Sequence, residues 1–298
     1  MNSKLNYLLF VIIILSSCKP SGKNIAVEKE SIEILVDMPL KSIINEQVKV
    51  YSATDTFPLI VLNEANEADI LQTILTKKGT YAIISRMLTK AELQRANALN
   101  EVDVKQIILA YDGIAMIANQ DFIYDSLTKE QLRTLFLSNT TKTPKMVFEN
   151  NRSGSVNYLF EFAGLKPSET KNVFAEKSYD SLTAFLRLDK NSIGFIPYAY
   201  ISEINSNTTL NSLEGLKILG ITTKDSTGKV NTFQPSQENI ATGDYPLVRT
   251  INLIKGNSKD ESGMLFVNFL QRERAQRLFL KSGLVPFKMP GRQILIST

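Results

Sequence analysis

Apolar and polar positions along this chain follow two alternating rhythms, one with a period of two and one with a period near 3.6. Short β-type stretches at Ser31 to Val36, Pro58 to Leu62 and Tyr81 to Ser85 are separated by amphipathic helical stretches at Leu40 to Ala53 and Ala68 to Thr76. Thr89, with Glu92 three residues on, marks the start of a capped helix running to about Asn97. A βαβαβα order of this kind predicts a largely parallel sheet covered by helices.

The middle of the chain changes character. Val104 to Asn119 holds two apolar runs joined at Asp112-Gly113, longer than the about five or six residues of an ordinary strand. Such a length, with a glycine at the joint, predicts a strand that carries the chain from one lobe into another. Next come a helix at Thr128 to Phe136 behind a Thr cap, a strand at Met146 to Glu149 and a helix at Ser155 to Ala163. A helix at Tyr179 to Arg187 follows, then strands at Ile193 to Pro197 and Leu216 to Thr222. Asn205 to Asn211 and Thr222 to Lys229 read as polar loops. Near the C-terminus stand a strand at Val248 to Ile254 and helical faces at Met264 to Leu270 and Ala275 to Leu280. Gly283 follows as a left-handed stop, with a closing strand near Ile294 to Ile296. No internal repeat is visible. The expectation is an α/β chain of two lobes joined by two crossings: residues 31–112 plus 245–298 form lobe one, and 113–244 form lobe two.

Composition narrows the class. The 298 residues suit two domains, and 43% hydrophobic with 21% charged residues is an ordinary globular balance. The net charge of +4 is spread without a basic block, so no nucleic-acid partner is expected. Histidine is absent, which removes Ser-His-Asp and Cys-His catalysis and the usual zinc sites. There is no P-loop and no G-x-S-x-G, so no catalytic residue, cofactor or metal is expected. Asp112, Glu149 and Asp244 could in principle be paired carboxylates, but each reads as a turn or strand-end residue.

The single cysteine excludes an intrachain disulfide and stands at a telling place. Lys4 precedes the apolar run Tyr7 to Leu15, and Ser16 and Ser17 then lead to Cys18. Residues 1–17 read as a secretory signal too short to span a bilayer. Leu15-Ser16-Ser17-Cys18 resembles the bacterial lipobox, which makes Cys18 the lipidation site; a buried thiol, or an ordinary signal with an incidental cysteine, is the alternative. Residues 18–30 then form a polar tether, and the mature domain is expected in the periplasm, held to a membrane by its N-terminal lipid.

One segment carries candidate chemistry. Between Val147 and Leu159 a strand ends, a small polar turn follows and a helix begins. First-turn N–H groups and the helix dipole favour an anion there. Arg152 would supply charge, Ser153 and Ser155 hydroxyl donors, and Gly154 close approach. An ordinary Ser-capped βα turn is the other reading of the same residues.

Several ordered segments resemble the phosphate-binding lipoproteins and periplasmic receptors of bacterial phosphate ABC importers, the PstS-like family, in a divergent Bacteroidetes form. They are Ala110 to Asn119, Leu127 to Phe136, Asn151 to Ser155, Ser192 to Pro197, Thr242 to Arg249, and Gly263 to Pro286. The resemblance implies a type II periplasmic-binding-protein fold with the ligand between the lobes. It also implies an ABC permease, or another envelope complex, as partner. By position Ser153, Gly154 and Ser155 match the family's oxyanion turn.

Departures from the family pattern fall at Met38 and Pro39, which are poor donors, and at Glu64 and Glu67, which repel anions. They fall also at Ser85-Arg86, where the family's ligand-gripping aspartate would stand, and at Glu149, where an arginine would. Arg152 could replace that arginine. Arg86 suits a fully ionised anion or carboxylate, or else pairs with Glu92. The expected ligand is therefore a small anion, phosphate or another oxyanion. A degenerate binding fold, serving as an envelope sensor or assembly partner without a phosphate ligand, is the alternative.

Overall fold

The structure is a computed structural model. It describes residues 31–54, 58–101, 103–150, 154–202, 213–256 and 261–289. The signal segment, the tether, Cys18, Arg152, Ser153, the 205–211 loop and the strand expected near 294–296 lie outside the described residues.

The first sheet grows from the period-two stretches of the N-terminal part. β1 (Ser31–Asp37) is parallel to β2 (Leu59–Ala65) and to β3 (Tyr81–Ile84). Helix α1 (Lys41–Thr54) buries Ile44 and Tyr51 on one face of this sheet, together with α9 (Glu261–Leu270) and α10 (Glu273–Lys281). On the other face, α2 (Glu67–Ile74) and α3 (Lys90–Asn100) close a smaller core around Ile70, Ile74, Ile84 and Ala96. Helices on both faces leave β3 buried at all four positions. The capping box expected at Thr89 and Glu92 is present on α3.

β4 (Lys105–Asn119) is a single strand of 15 residues that belongs to two sheets. Its first part pairs antiparallel with β11 (Val248–Lys255), ending at Gly113 opposite Val248. From Ile114 onward it pairs antiparallel with β8 (Ser192–Pro197), and near its end with β9 (Leu216–Lys224). Gly113 has a packing reason: a Cβ there would meet the Ile240 side chain at 2.9 Å and the Tyr198 Cβ at 3.3 Å.

In the second sheet β6 (Lys145–Phe148) is parallel to β8 and to β7 (Val173–Ala175). The spatial order is β2-β1-β3-β11-β4-β8-β6-β7. Each half is parallel in its outer strands and antiparallel where β4 and β11 run through. Helices α4 (Lys129–Leu137), α5 (Gly154–Ala163) and α6 (Tyr179–Leu188) cover this sheet. Their core centres on Phe136, Phe148 and Phe195, with ring centroids 4.8–6.4 Å apart.

Four short strands had no visible signature, β7 among them. β5 (Ser126–Thr128) and β10 (Val230–Phe233) both pair with β9, and β12 (Val285–Pro286) pairs with β4. The stretch expected as a polar loop from Thr222 to Lys229 is in part strand. β9 runs on to Lys224, and a tight turn returns the chain, with Asp225 Oδ1 accepting from the N–H groups of Thr227 and Lys229. A short helix α7 (Tyr198–Ser202) and another, α8 (Gln237–Thr242), complete the described elements. Gly283 takes φ +83 after α10, in the left-handed role expected of it.

Candidate functional site

The parallel strands of both sheets end at one cleft, which is where open α/β sheets place their ligands. β1 delivers Asp37, β2 delivers Asn66 and Glu67, and β3 delivers Ser85 and Arg86. From the other side come Glu149 after β6, Gly154 and Ser155 at the start of α5, and Tyr179 at the start of α6. A cavity of about 460 Å³ lies between these walls, lined among others by Asp37, Glu64, Glu149, Glu176, Lys177 and Tyr179. Small-molecule sites commonly span about 300–1,000 Å³.

The described candidate residues, Ser85, Arg86, Gly154 and Ser155, fall in two chains of contacts. In the first, Ser85 Oγ donates to Asp37 Oδ2 at 3.1 Å. Burial pushes the Asp37 carboxyl up to about 7; the Glu67 charge adds to the rise, while Arg249 and Ser85 oppose it. Arg86 donates from Nε to Glu67 Oε1 at 2.9 Å, and from Nη1 and Nη2 to the two oxygens of Glu92 at 2.8 and 3.0 Å. Its guanidinium is thus engaged by two carboxylates. Burial works against the Glu92 charge, but Arg86 and the Thr89 N–H outweigh it and hold this carboxyl below its ordinary range.

In the second chain, Arg249 Nη1 donates to Ser155 Oγ at 2.9 Å. Its Nε and Nη2 reach Asp112 Oδ2 at 3.2 and 3.0 Å. The other Asp112 oxygen accepts from the Ala199 N–H at 3.2 Å. Asp112, Ser155 and Arg249 are all buried. Asp112, which read as a turn residue, is therefore half of a buried ion pair at the point where β4 changes sheets.

Gly154 joins the two chains. It is buried at the N-terminus of α5, against the carboxylate of Glu67. Met38, Pro39 and Glu64 also line the cavity, with Glu64 paired to Lys41. Apart from Glu149, which follows β6, the residues that departed from the family pattern stand on the first-sheet wall.

Sequence reasoning did not single out Arg249 or Tyr179. Burial raises the Tyr179 hydroxyl well above its ordinary value, and Glu149 adds to that rise. Only the Arg in a strand that otherwise buries Ile251, Asn252, Leu253 and Ile254 and no second charge could have flagged Arg249. Among the described residues no group of three His, Cys, Asp or Glu side chains is disposed to hold a metal ion. Nor is any helix among them long and apolar enough to cross a membrane.

Comparison with known proteins agrees with this architecture. A family model described as a PBP superfamily domain matches residues 23–274. One similar solved structure is from Clostridium perfringens, described as a phosphate ABC transporter substrate-binding protein with bound phosphate. It superposes with a TM-score of 0.68 at 18% identity, covering 87% of this chain and 100% of that one. An ABC-type phosphate transport receptor from Vibrio cholerae gives 0.65 at 18% identity, over 85% and 99%. PstS from Borrelia burgdorferi gives 0.55 at 18%, over 87% and 100%. A search of curated proteins by sequence finds no match. The two-lobed type II fold and the extent of the family match lead to one assignment: the chain belongs to the PBP superfamily.

Proposed function

We propose that this protein is a lipid-anchored solute receptor of the cell envelope that holds a small anion, phosphate first of all, for an ABC permease. The observation that carries the reading is the buried N-terminus of α5 at the cleft. Gly154 allows close approach there, and Ser155 is held in place by Arg249. Relatives of this fold include receptors described as binding phosphate, one of them with phosphate bound. In this reading residues 31–112 plus 245–298 form lobe one, 113–244 form lobe two, and the crossings at Gly113 and Val248 act as the hinge. Arg152, Ser153, Gly154 and Ser155 form the anion side, with Ser85 and Arg86 on the facing wall. Residues 1–17 are the signal peptide, Cys18 carries the lipid, and 18–30 tether the domain in the periplasm.

Calorimetric titration of the mature domain, made without Cys18, with phosphate and then sulfate tests the ligand. Micromolar or tighter binding of phosphate is expected; no heat and no thermal stabilisation with either anion would overturn the anion reading. For the anchor, Cys18→Ala should move the protein from the membrane fraction to the soluble fraction of the envelope. Unchanged fractionation would refute lipidation at Cys18.

A further inference from the structure

Glu67 occupies an unusual position among the charged groups of the cleft. Its side chain is 2% exposed, and Oε1 accepts from Arg86 Nε at 2.9 Å. Oε2 is buried as well and accepts no hydrogen bond among the described residues. It lies so close over the backbone of Gly154 that a Cβ there would come within 2.1 Å of it. Gly154 opens α5, a helix of ten residues whose first-turn N–H groups form the positive end of its dipole. An orphaned carboxylate oxygen is therefore aimed at the point where the cleft would stabilise an anion.

We propose that Glu67 is a resident anion, which occupies the α5 N-terminus in the ligand-free protein and competes with any incoming oxyanion. The inference rests on the reading that the oxyanion seat is at α5. It adds a determinant of affinity that the seat itself does not contain.

Three features support it. Glu67 begins α2 on the first sheet, whereas Gly154 begins a helix on the second, so the contact bridges the cleft. Arg86, fixed from behind by both oxygens of Glu92, holds the carboxylate pointed across it. Glu67 also adds to the raised proton affinity of Asp37, so its charge is felt within the site. A purely structural role, pairing with Arg86, accounts for Oε1. It does not account for an unpartnered Oε2 pressed against a second helix terminus.

The test uses the full chain and its Glu67→Gln and Glu67→Ala variants, titrated with inorganic phosphate and sulfate. In parallel, spin labels at Lys49→Cys and Lys190→Cys, with Cys18→Ser, report the distance across the cleft. Both sites are exposed and lie in different lobes of the proposed division. Removing the resident charge should tighten phosphate binding by roughly ten-fold, the scale of a favourable charge at a helix terminus. Phosphate binding that is unchanged or weaker in both variants would overturn the proposal. Glu67→Gln, nearly isosteric, covers the case in which Glu67→Ala does not fold. If neither the parent nor the variants bind phosphate or sulfate, the oxyanion reading falls and the distance decides on Glu67. A longer ligand-free distance in Glu67→Gln then keeps the residue as a bridge across the cleft, and an unchanged distance removes it.

Discussion

Asp37 offers a sharp test of the cleft's electrostatics, through Asp37→Asn. The carboxyl sits buried at the end of β1, with Glu67 and Glu149 both raising its proton affinity after the effect of burial itself. In the folded protein it titrates at about 7, against an ordinary aspartate value of 3.8. The sign follows from linkage. A carboxyl that binds its proton more tightly when folded contributes stability that is fully present below pH 4 and lost progressively as pH rises to about 7. At about 1.4 kcal/mol per pH unit, that gap comes to about 4 kcal/mol.

Asparagine keeps the shape and an acceptor for Ser85 Oγ but cannot ionise. The variant should therefore match the parent near pH 4 and exceed it by about 4 kcal/mol at pH 8.5. In thermal melts this is a difference on the order of 10 °C. The chain has no histidine, so no imidazole titrates between pH 5 and 8, and the difference between parent and variant isolates Asp37. Urea and thermal unfolding followed by far-UV circular dichroism at both pH values is the assay. Parallel pH profiles for the two proteins would refute the reasoning, as would a variant less stable at pH 8.5.

Arg249→Met should destabilise by about 3–5 kcal/mol in urea unfolding, because it leaves the buried Asp112 without its charge partner. Asp112→Leu in the same chain should restore most of the loss, and a double variant no better than the single one would contradict the pairing. Gly154→Ala should cost about 1–3 kcal/mol by forcing a methyl against the Glu67 carboxylate. Adding Glu67→Ala should relieve most of that cost, and simple additivity of the two changes would show that the contact is not made.

Much of this architecture was legible in the sequence, because the signals that encode it are local. A capping box needs only Thr89 and Glu92, a left-handed stop only Gly283, and the switch of sheets only one long apolar strand with a glycine at its joint. Hydrophobic period with these local signals therefore determined the order of the longer strands and helices, and the turn before α5 pointed to a helix terminus suited to an anion. The short strands β5, β7, β10 and β12 escaped because two to four residues carry too little pattern, and only their pairing with longer strands defines them.

The electrostatics of the cleft was decided by tertiary structure alone. Asp112 meets Arg249 across 137 residues of chain, and Glu67 meets Gly154 only when the two sheets face each other. Whether a carboxylate is solvated, paired or left with an orphaned oxygen depends on what packs against it. For these residues the neighbours come from distant parts of the chain, and no local spacing records them.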